Sequence, residues 1–248
     1  MPTPFMHIAL ADRLIADPEL SAAARSTLEQ RWGAFLLGSV APDARVSSGV
    51  ARSSTHFFEY TQPLDAPPAC KFLQTFPMLR CSALTDPDQR AFIAGYTAHL
   101  AMDAVWFIQM LPHFSRDWAP LAQRNLLLHM LLVHLDAQER ACLAERDYAA
   151  LKSVMPKGWL PFISDADLRA WRDLIADQLA PNAPSRTLEI LGSRIRMSVA
   201  QMQAFLADEA QMRPLWQNIQ PNLIAAVNLA MYQGVRQTVN AYFADQLA

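Results

Sequence analysis

An all-α fold follows from three features of the sequence. Apolar residues recur at three- and four-residue steps along almost the whole chain, and the two-residue alternation of a half-buried strand is nearly missing. Helix punctuation falls where that periodicity starts and stops, as at Asp86-Pro87, Ser164-Asp165 and the run Pro181-Asn182-Ala183-Pro184-Ser185. At 248 residues, 52% of them hydrophobic, the chain is long and apolar enough to bury one sizeable core.

The periodicity predicts helices at about 6–16, 19–37, 66–80, 87–111, 117–146, 165–180, 186–210 and 213–246. The first is amphipathic, its apolar residues interrupted by Asp12, Arg13 and Asp17. The second closes at Gly38 and Pro42, which mark a helix end and deliver Asp43 onto a turn. Residues 43–52, with Ser47, Ser48 and Gly49, read as a loop. Asp86 caps the helix that follows it, with Pro87 in its first turn. The run Leu126 to Asp136 is apolar nearly all round, as expected of a central buried helix, with Asp136 near its end and solvated. Ser164-Asp165 opens the next helix, and residues 181–185 separate it from its successor.

In the C-terminal part, 190–207 and 223–243 read as a helical hairpin covering the earlier helices, with Met197, Met202, Met212 and Met231 filling gaps in the core. The segment Met155 to Phe162 has the character of an exposed aromatic loop and is expected to tuck in rather than touch lipid. With no tandem repeat, low-complexity tract or composition shift, residues 1–248 are expected to form one helical domain, the chemistry-bearing motifs within 1–140 and packing helices over 141–248.

Composition excludes several function classes. A net charge of −2 and a pI near 6.3 leave no nucleic-acid footprint. Seven unclustered glycines give no phosphate-cradling loop, and no Ser or Cys stands in a nucleophile elbow. Three cysteines, Cys70, Cys81 and Cys142, are an odd number without a Cys-x-x-Cys, which argues against a disulfide framework or a thiolate zinc site. No stretch has the roughly 18 uninterrupted apolar residues of a membrane span, and the first residues lack the pattern of a signal peptide, so a cytoplasmic location is expected.

The chemistry is front-loaded, because all six histidines lie in the first 134 residues. The most informative stretch is Gly95-Tyr96-Thr97-Ala98-His99-Leu100-Ala101-Met102-Asp103, which stacks His99 and Asp103 on one face of an otherwise greasy helix. A carboxylate buried there must be paired or must coordinate a metal, so the two residues read either as a hydrogen-bonded core pair or as ligands of a divalent cation. His7 and His56 sit in comparable apolar settings. His129, on the buried run, is a further candidate ligand, and Glu59, three residues after His56, a candidate support for that imidazole. Arg45, Arg52 and Arg124 are candidates to pair a phosphate.

Taken in order, Pro-x-Pro-Phe with a following His (Pro2 to His7), Leu-Gly-x-x-x-Pro-Asp (Leu37 to Asp43), Thr-His-Phe (Thr55 to Phe57) and Gly-Tyr-x-x-His-x-x-x-Asp (Gly95 to Asp103) resemble the zinc-dependent phospholipase C family, which shares a superfamily with fungal single-strand-specific nucleases. The resemblance covers about the first 140 residues and implies a mostly helical phosphoric ester hydrolase holding one to three zinc ions. It implies His7, Asp43, His56, His99 and Asp103 as ligands, Asp103 as the bridge between two metals, and Asp43 as the catalytic carboxylate that orients or deprotonates the attacking water. Small phosphate esters or phospholipids are the implied substrates. The sequence departs from the family where the secreted members carry a further His six residues after the His-x-x-x-Asp pair and a later His-x-x-x-Glu, for here those positions hold Gln109 and, four after His129, Val133. One metal site is therefore expected to be reduced. The alternative to an enzyme is a non-catalytic descendant that keeps a reduced or structural metal site and acts by binding. A third class, helical phosphohydrolases marked by an adjacent His-Asp dipeptide, is disfavoured because the chain has none.

Overall fold

The computed structural model describes residues 2–143, 145–180, 183 and 186–247. Among them there is no β-strand, and the predicted all-α fold is observed. The helices are α1 (Pro4–Ile15), α2 (Ala22–Gln30), α3 (Trp32–Val40), α4 (Arg45–Ser48), α5 (Arg52–His56), α6 (Pro68–Thr75), α7 (Pro87–Gln109), α8 (Leu111–Ser115), α9 (Leu121–Arg140), α10 (Glu145–Lys152), α11 (Asp165–Leu179), α12 (Arg186–Ile195), α13 (Val199–Ala207), α14 (Glu209–Asn218) and α15 (Pro221–Phe243). A single turn of 3-10 helix, Ala41–Ala44, joins α3 to α4.

Where the periodicity predicts longer helices, local backbone chemistry divides them. The stretch 19–37 becomes α2 and α3, broken at Arg31 (φ −123°, ψ 35°). The break lets α3, buried from Ala34 to Val40, run through the interior while α2, which buries only Ala24 and Leu28, stays at the surface. The stretch 186–210 breaks at Arg196, whose φ is +57°, and restarts at a Ser198–Gln201 capping box. The last predicted helix divides before Pro221, which occupies the first turn of α15. The loop expected over 43–52 contains α4, closed by Gly49 at φ +74°. Of the spacer run 181–185, all but Ala183 lies outside the described residues.

Two packing relations organise the core: α3 lies along α7, and α15 covers α7 from the other side. Residues 87–115 are long and apolar enough to cross a membrane by composition, but 72% of their most apolar window is buried, as befits a helix at the centre of a packed core. The approach of α3 to α7 is unusually close. A Cβ on Gly38 would stand 1.9 Å from the Phe92 carbonyl oxygen, and one on Gly95 would stand 2.2 Å from that of Phe35. Gly38 is therefore not the end of α3, as its sequence position indicates, but the point where two backbones touch; the helix runs on to Val40.

Aromatic rings fill the space between α6, α7 and the segment before α11. Phe72 stacks on Tyr96 at 4.6 Å and Phe76 on Phe162 at 4.9 Å, while the Tyr96 hydroxyl donates to the Thr55 carbonyl at 2.6 Å. Met155 to Phe162 is tucked in through Pro156, Trp159 and Leu160, which are buried, while Met155 stays exposed. Asp136 departs from expectation, since it is buried rather than solvated and its Oδ1 has no hydrogen-bond partner. Burial pushes its carboxyl up to about 6 against the opposing pull of Thr3 and Arg140.

Two outcomes are expected. Gly38→Ala and Gly95→Ala each force the backbones apart and should cost roughly 1–3 kcal/mol, read as a lower denaturation midpoint. Because the folded Asp136 carboxyl takes up its proton at a higher pH than the unfolded one, it stabilises the fold in acid and loses that contribution as pH rises through about 6. Asp136→Asn should therefore gain stability relative to the parent, by about 1–3 kcal/mol, between pH 4 and pH 7. An equal difference in Tm at the two pH values would contradict this.

Candidate metal centre

Five side chains from four parts of the chain converge beside the α3–α7 contact. His7 comes from α1, Asp43 from the 3-10 turn after α3, His56 from the last residue of α5, and His99 and Asp103 from successive turns of α7. The two α7 residues share a face because they are four apart, and that face looks onto α1 and the end of α3. Pro42 sits in the 3-10 turn that carries Asp43, and Phe57 (φ +62°) ends α5 directly after His56.

The distances between donor atoms match a particular coordination shell. Asp103 Oδ2 lies 3.3 Å from His56 Nε2 and 3.4 Å from His99 Nε2; His56 Nε2 lies 3.5 Å from Asp43 Oδ1 and 3.4 Å from His99 Nε2. A zinc ion holds N and O ligands at about 2.0–2.1 Å in a tetrahedron, whose edges are then about 3.3–3.4 Å. Four of the six edges among Asp43, His56, His99 and Asp103 therefore lie at or near the length a tetrahedral zinc requires, and the candidate ligands among the described residues fall into two groups of three that share His99: Asp43 with His56 and His99, and His7 with His99 and Asp103. The second carboxylate oxygen of Asp103 points the other way, 3.6 Å from His7 Nε2, and both of these atoms are buried without a hydrogen-bond partner. Two unsatisfied buried atoms facing each other are what a bridging carboxylate and a second ion would account for. The ring of His7 stacks on that of His99 at 3.9 Å.

The neighbours of the imidazoles fix which nitrogen faces the cluster. His99 Nδ1 lies 2.9 Å from the Ser39 carbonyl oxygen, which can only accept, so Nδ1 carries the proton and Nε2 offers its lone pair. The Thr55 hydroxyl donates to the Arg52 carbonyl at 3.2 Å and so accepts from His56 Nδ1 at 2.8 Å, which again leaves Nε2 free to ligate. Thr55, which enters the sequence reading only as part of the Thr-His-Phe motif, thus takes the supporting role for which the sequence offers Glu59 as a candidate; Glu59 is exposed.

Electrostatics agree with a cation site. Burial, with His99 alongside, holds His7 down at about 4, and burial also lowers His56, so both are neutral ligands at ordinary pH. Burial works against charge on His99 too, but Asp103 and Asp43 outweigh it and raise its pKa. Burial likewise opposes ionisation of Asp43 and Asp103, yet the surrounding imidazoles hold both carboxyls below the ordinary range. His7, His56, His99 and Asp103 are almost fully buried, and Asp43 alone keeps part of its side chain, 22%, open to the surface.

Other residues singled out in the sequence lie elsewhere. His129 stands on α9 with Nδ1 2.7 Å from the Asn125 carbonyl oxygen and belongs to neither ligand group. Gln109 is exposed at the last residue of α7. Arg124 is committed to Asp117 at 2.9 Å and to the carbonyls of Phe114 and Arg116, so it holds the α8–α9 connection together rather than meeting a ligand. Arg52 donates to Asp103 Oδ2 at 3.3 Å and to the Phe58 carbonyl at 3.1 Å. The guanidinium of Arg45 makes no hydrogen bond or ion pair among the described residues, and its Nε is buried.

Removing one member of this cluster leaves its partners buried without compensation. His99→Ala and Asp103→Ala should each lose bound zinc and about 3–5 kcal/mol of stability, as measured by metal analysis and by urea denaturation. Full zinc content in both variants would overturn the ligand assignment.

The comparisons with known proteins bear on this geometry. No curated protein and no solved structure matches the chain. The family described as zinc dependent phospholipase C matches residues 6–164, well over half of the sequence, a span that includes all five converging side chains. The chain belongs to the zinc-dependent phospholipase C family.

Proposed function

We propose that this protein is a phosphoric ester hydrolase that works with zinc held by Asp43, His56, His99 and Asp103. The observation that carries the reading is the 3.3–3.5 Å spacing of the donor atoms around His56 and His99, with Asp43 and Arg52 of that cluster lining a surface pocket of about 350 Å³. Zinc supplies two things there: it brings the pKa of a bound water down to about 7 and it polarises a phosphoryl oxygen.

The chain's own residues do the rest. Asp43, the one partly open member of the set, is placed to orient the attacking water and to accept its proton. Asp103 turns one oxygen toward His56 and His99 and the other toward His7, so a second ion would be held between His7 and Asp103. Arg52 neutralises part of the Asp103 charge from above and holds that carboxylate in place. Arg45, unpaired on the pocket wall, is positioned to meet a phosphate. Small phosphate esters and phospholipid headgroups are the substrates this reading takes in, and a cytoplasmic site of action is part of the proposal.

A second reading, a non-catalytic descendant, draws on a specific observation. The candidate donors among the described residues form two groups of three that share His99, and neither Gln109 nor His129 belongs to either group. The two readings separate in one assay. Zinc-loaded protein should hydrolyse bis(p-nitrophenyl) phosphate, and Asp43→Asn should lower kcat at least about 100-fold at measured zinc occupancy. Full zinc occupancy without turnover would favour the non-catalytic descendant.

A further inference from the structure

The pocket over Asp43 is walled in part by residues that lie outside the matched family segment. α11 and α12 contribute Trp171, Ile190, Leu191 and Arg194, and the chain start contributes Pro2 to Pro4. Three guanidinium groups line it, those of Arg45, Arg52 and Arg194, and its one carboxylate, Asp43, faces the imidazole cluster. Arg45 and Arg194 have no hydrogen-bond or ion-pair partner among the described residues. Arg52 is used internally, and the way it is used matters. Its guanidinium lies over the Tyr60 ring at 4.1 Å and over the Phe58 ring at 4.6 Å. Of the two aromatic residues that line this pocket, Tyr60 is thus already faced by a cation of the protein itself, and Trp171 is buried with its indole N–H donated to the Val40 carbonyl.

We propose that this pocket selects phosphate esters whose organic group is itself anionic, and that Arg194 and Arg45 are the residues that hold that second negative group. The proposal rests on the reading of the metal centre given above, for it assigns the scissile phosphate to the zinc side of the pocket and the additional anion to the arginine side. A guanidinium pairs with a carboxylate or phosphate through parallel N–H donors, and an unpaired one at a pocket wall has that capacity free. A trimethylammonium group would meet three like charges there, and the Tyr60 ring it could stack on is already faced by Arg52. Val46, Ile190 and Leu191 give the same pocket an apolar lining suited to a short carbon chain joining the two anions.

The test compares 2-phosphoglycolate with phosphocholine, which share a phosphate and differ in the charge of the attached group, by calorimetric titration into the whole chain, with zinc measured in the same samples. Phosphoglycolate should bind at least tenfold more tightly, and Arg194→Gln and Arg45→Gln should each remove most of that preference while zinc content stays at the parent value. Equal affinities, tighter phosphocholine, or a preference unchanged in both variants would overturn the proposal. A chain that holds no zinc yet still prefers phosphoglycolate through Arg194 and Arg45 would uphold the anion site and sink the hydrolase reading. A zinc-loaded chain without the preference would overturn the anion site and leave the hydrolase reading standing on its turnover assay.

Discussion

The contact between Gly38 and Gly95 is the constraint on which the centre depends. Two helices can approach this closely only where neither has a side chain, and here each glycine lies against the backbone of the opposing helix. The approach sets the Ser39 carbonyl against His99 Nδ1, which fixes the tautomer of His99 and turns its Nε2 toward Asp103. It also fixes the place where α3 ends and the 3-10 turn begins, and therefore where Asp43 stands relative to α7. The candidate ligands are thus positioned by backbone packing in the core, and the residues that do the packing carry no chemistry of their own. The Trp171 indole reinforces the same corner by donating to the Val40 carbonyl at 2.8 Å.

The electrostatic design of the site follows from its depth. Two buried carboxylates and three buried imidazoles are costly in a hydrocarbon interior unless something holds them together. Within the chain that task falls to mutual pairing, to Arg52 and to the backbone carbonyl at Ser39, and these leave His7 Nε2 and Asp103 Oδ1 without partners. The shortfall lies inside the donor cluster itself, where a cation would be most strongly favoured. The surface around the cluster has the opposite sign, because Arg45 and Arg194 flank the opening through which Asp43 is reached. A cation-binding floor beneath an anion-binding rim is an arrangement suited to a phosphate ester.

The ligand face was legible in the sequence because its signal is local. His99 and Asp103 four apart in an apolar helix, and the ordered motifs around His7, Asp43 and His56, required no knowledge of the packing. What remained hidden depends on relations between distant segments. Gly38 has the look of a helix terminator until Phe92 and Gly95 are placed beside it. Asp136 looks solvated near a helix end until the chain start covers it. The role of Thr55 as support for His56 has no spacing rule behind it, and Arg194 could not be linked to Asp43 across about 150 residues of sequence. The helix breaks at Arg31 and Arg196 were missed for a related reason, since apolar periodicity continues across a change of direction that only two backbone angles record.

The most direct test of the account is X-ray absorption at the zinc edge on protein purified without chelator, affinity tag or added metal. The account predicts bound zinc with about four nitrogen and oxygen neighbours at roughly 2.0–2.1 Å and the outer-shell scattering of imidazole. Protein without bound zinc, or a spectrum with sulfur neighbours, would contradict it.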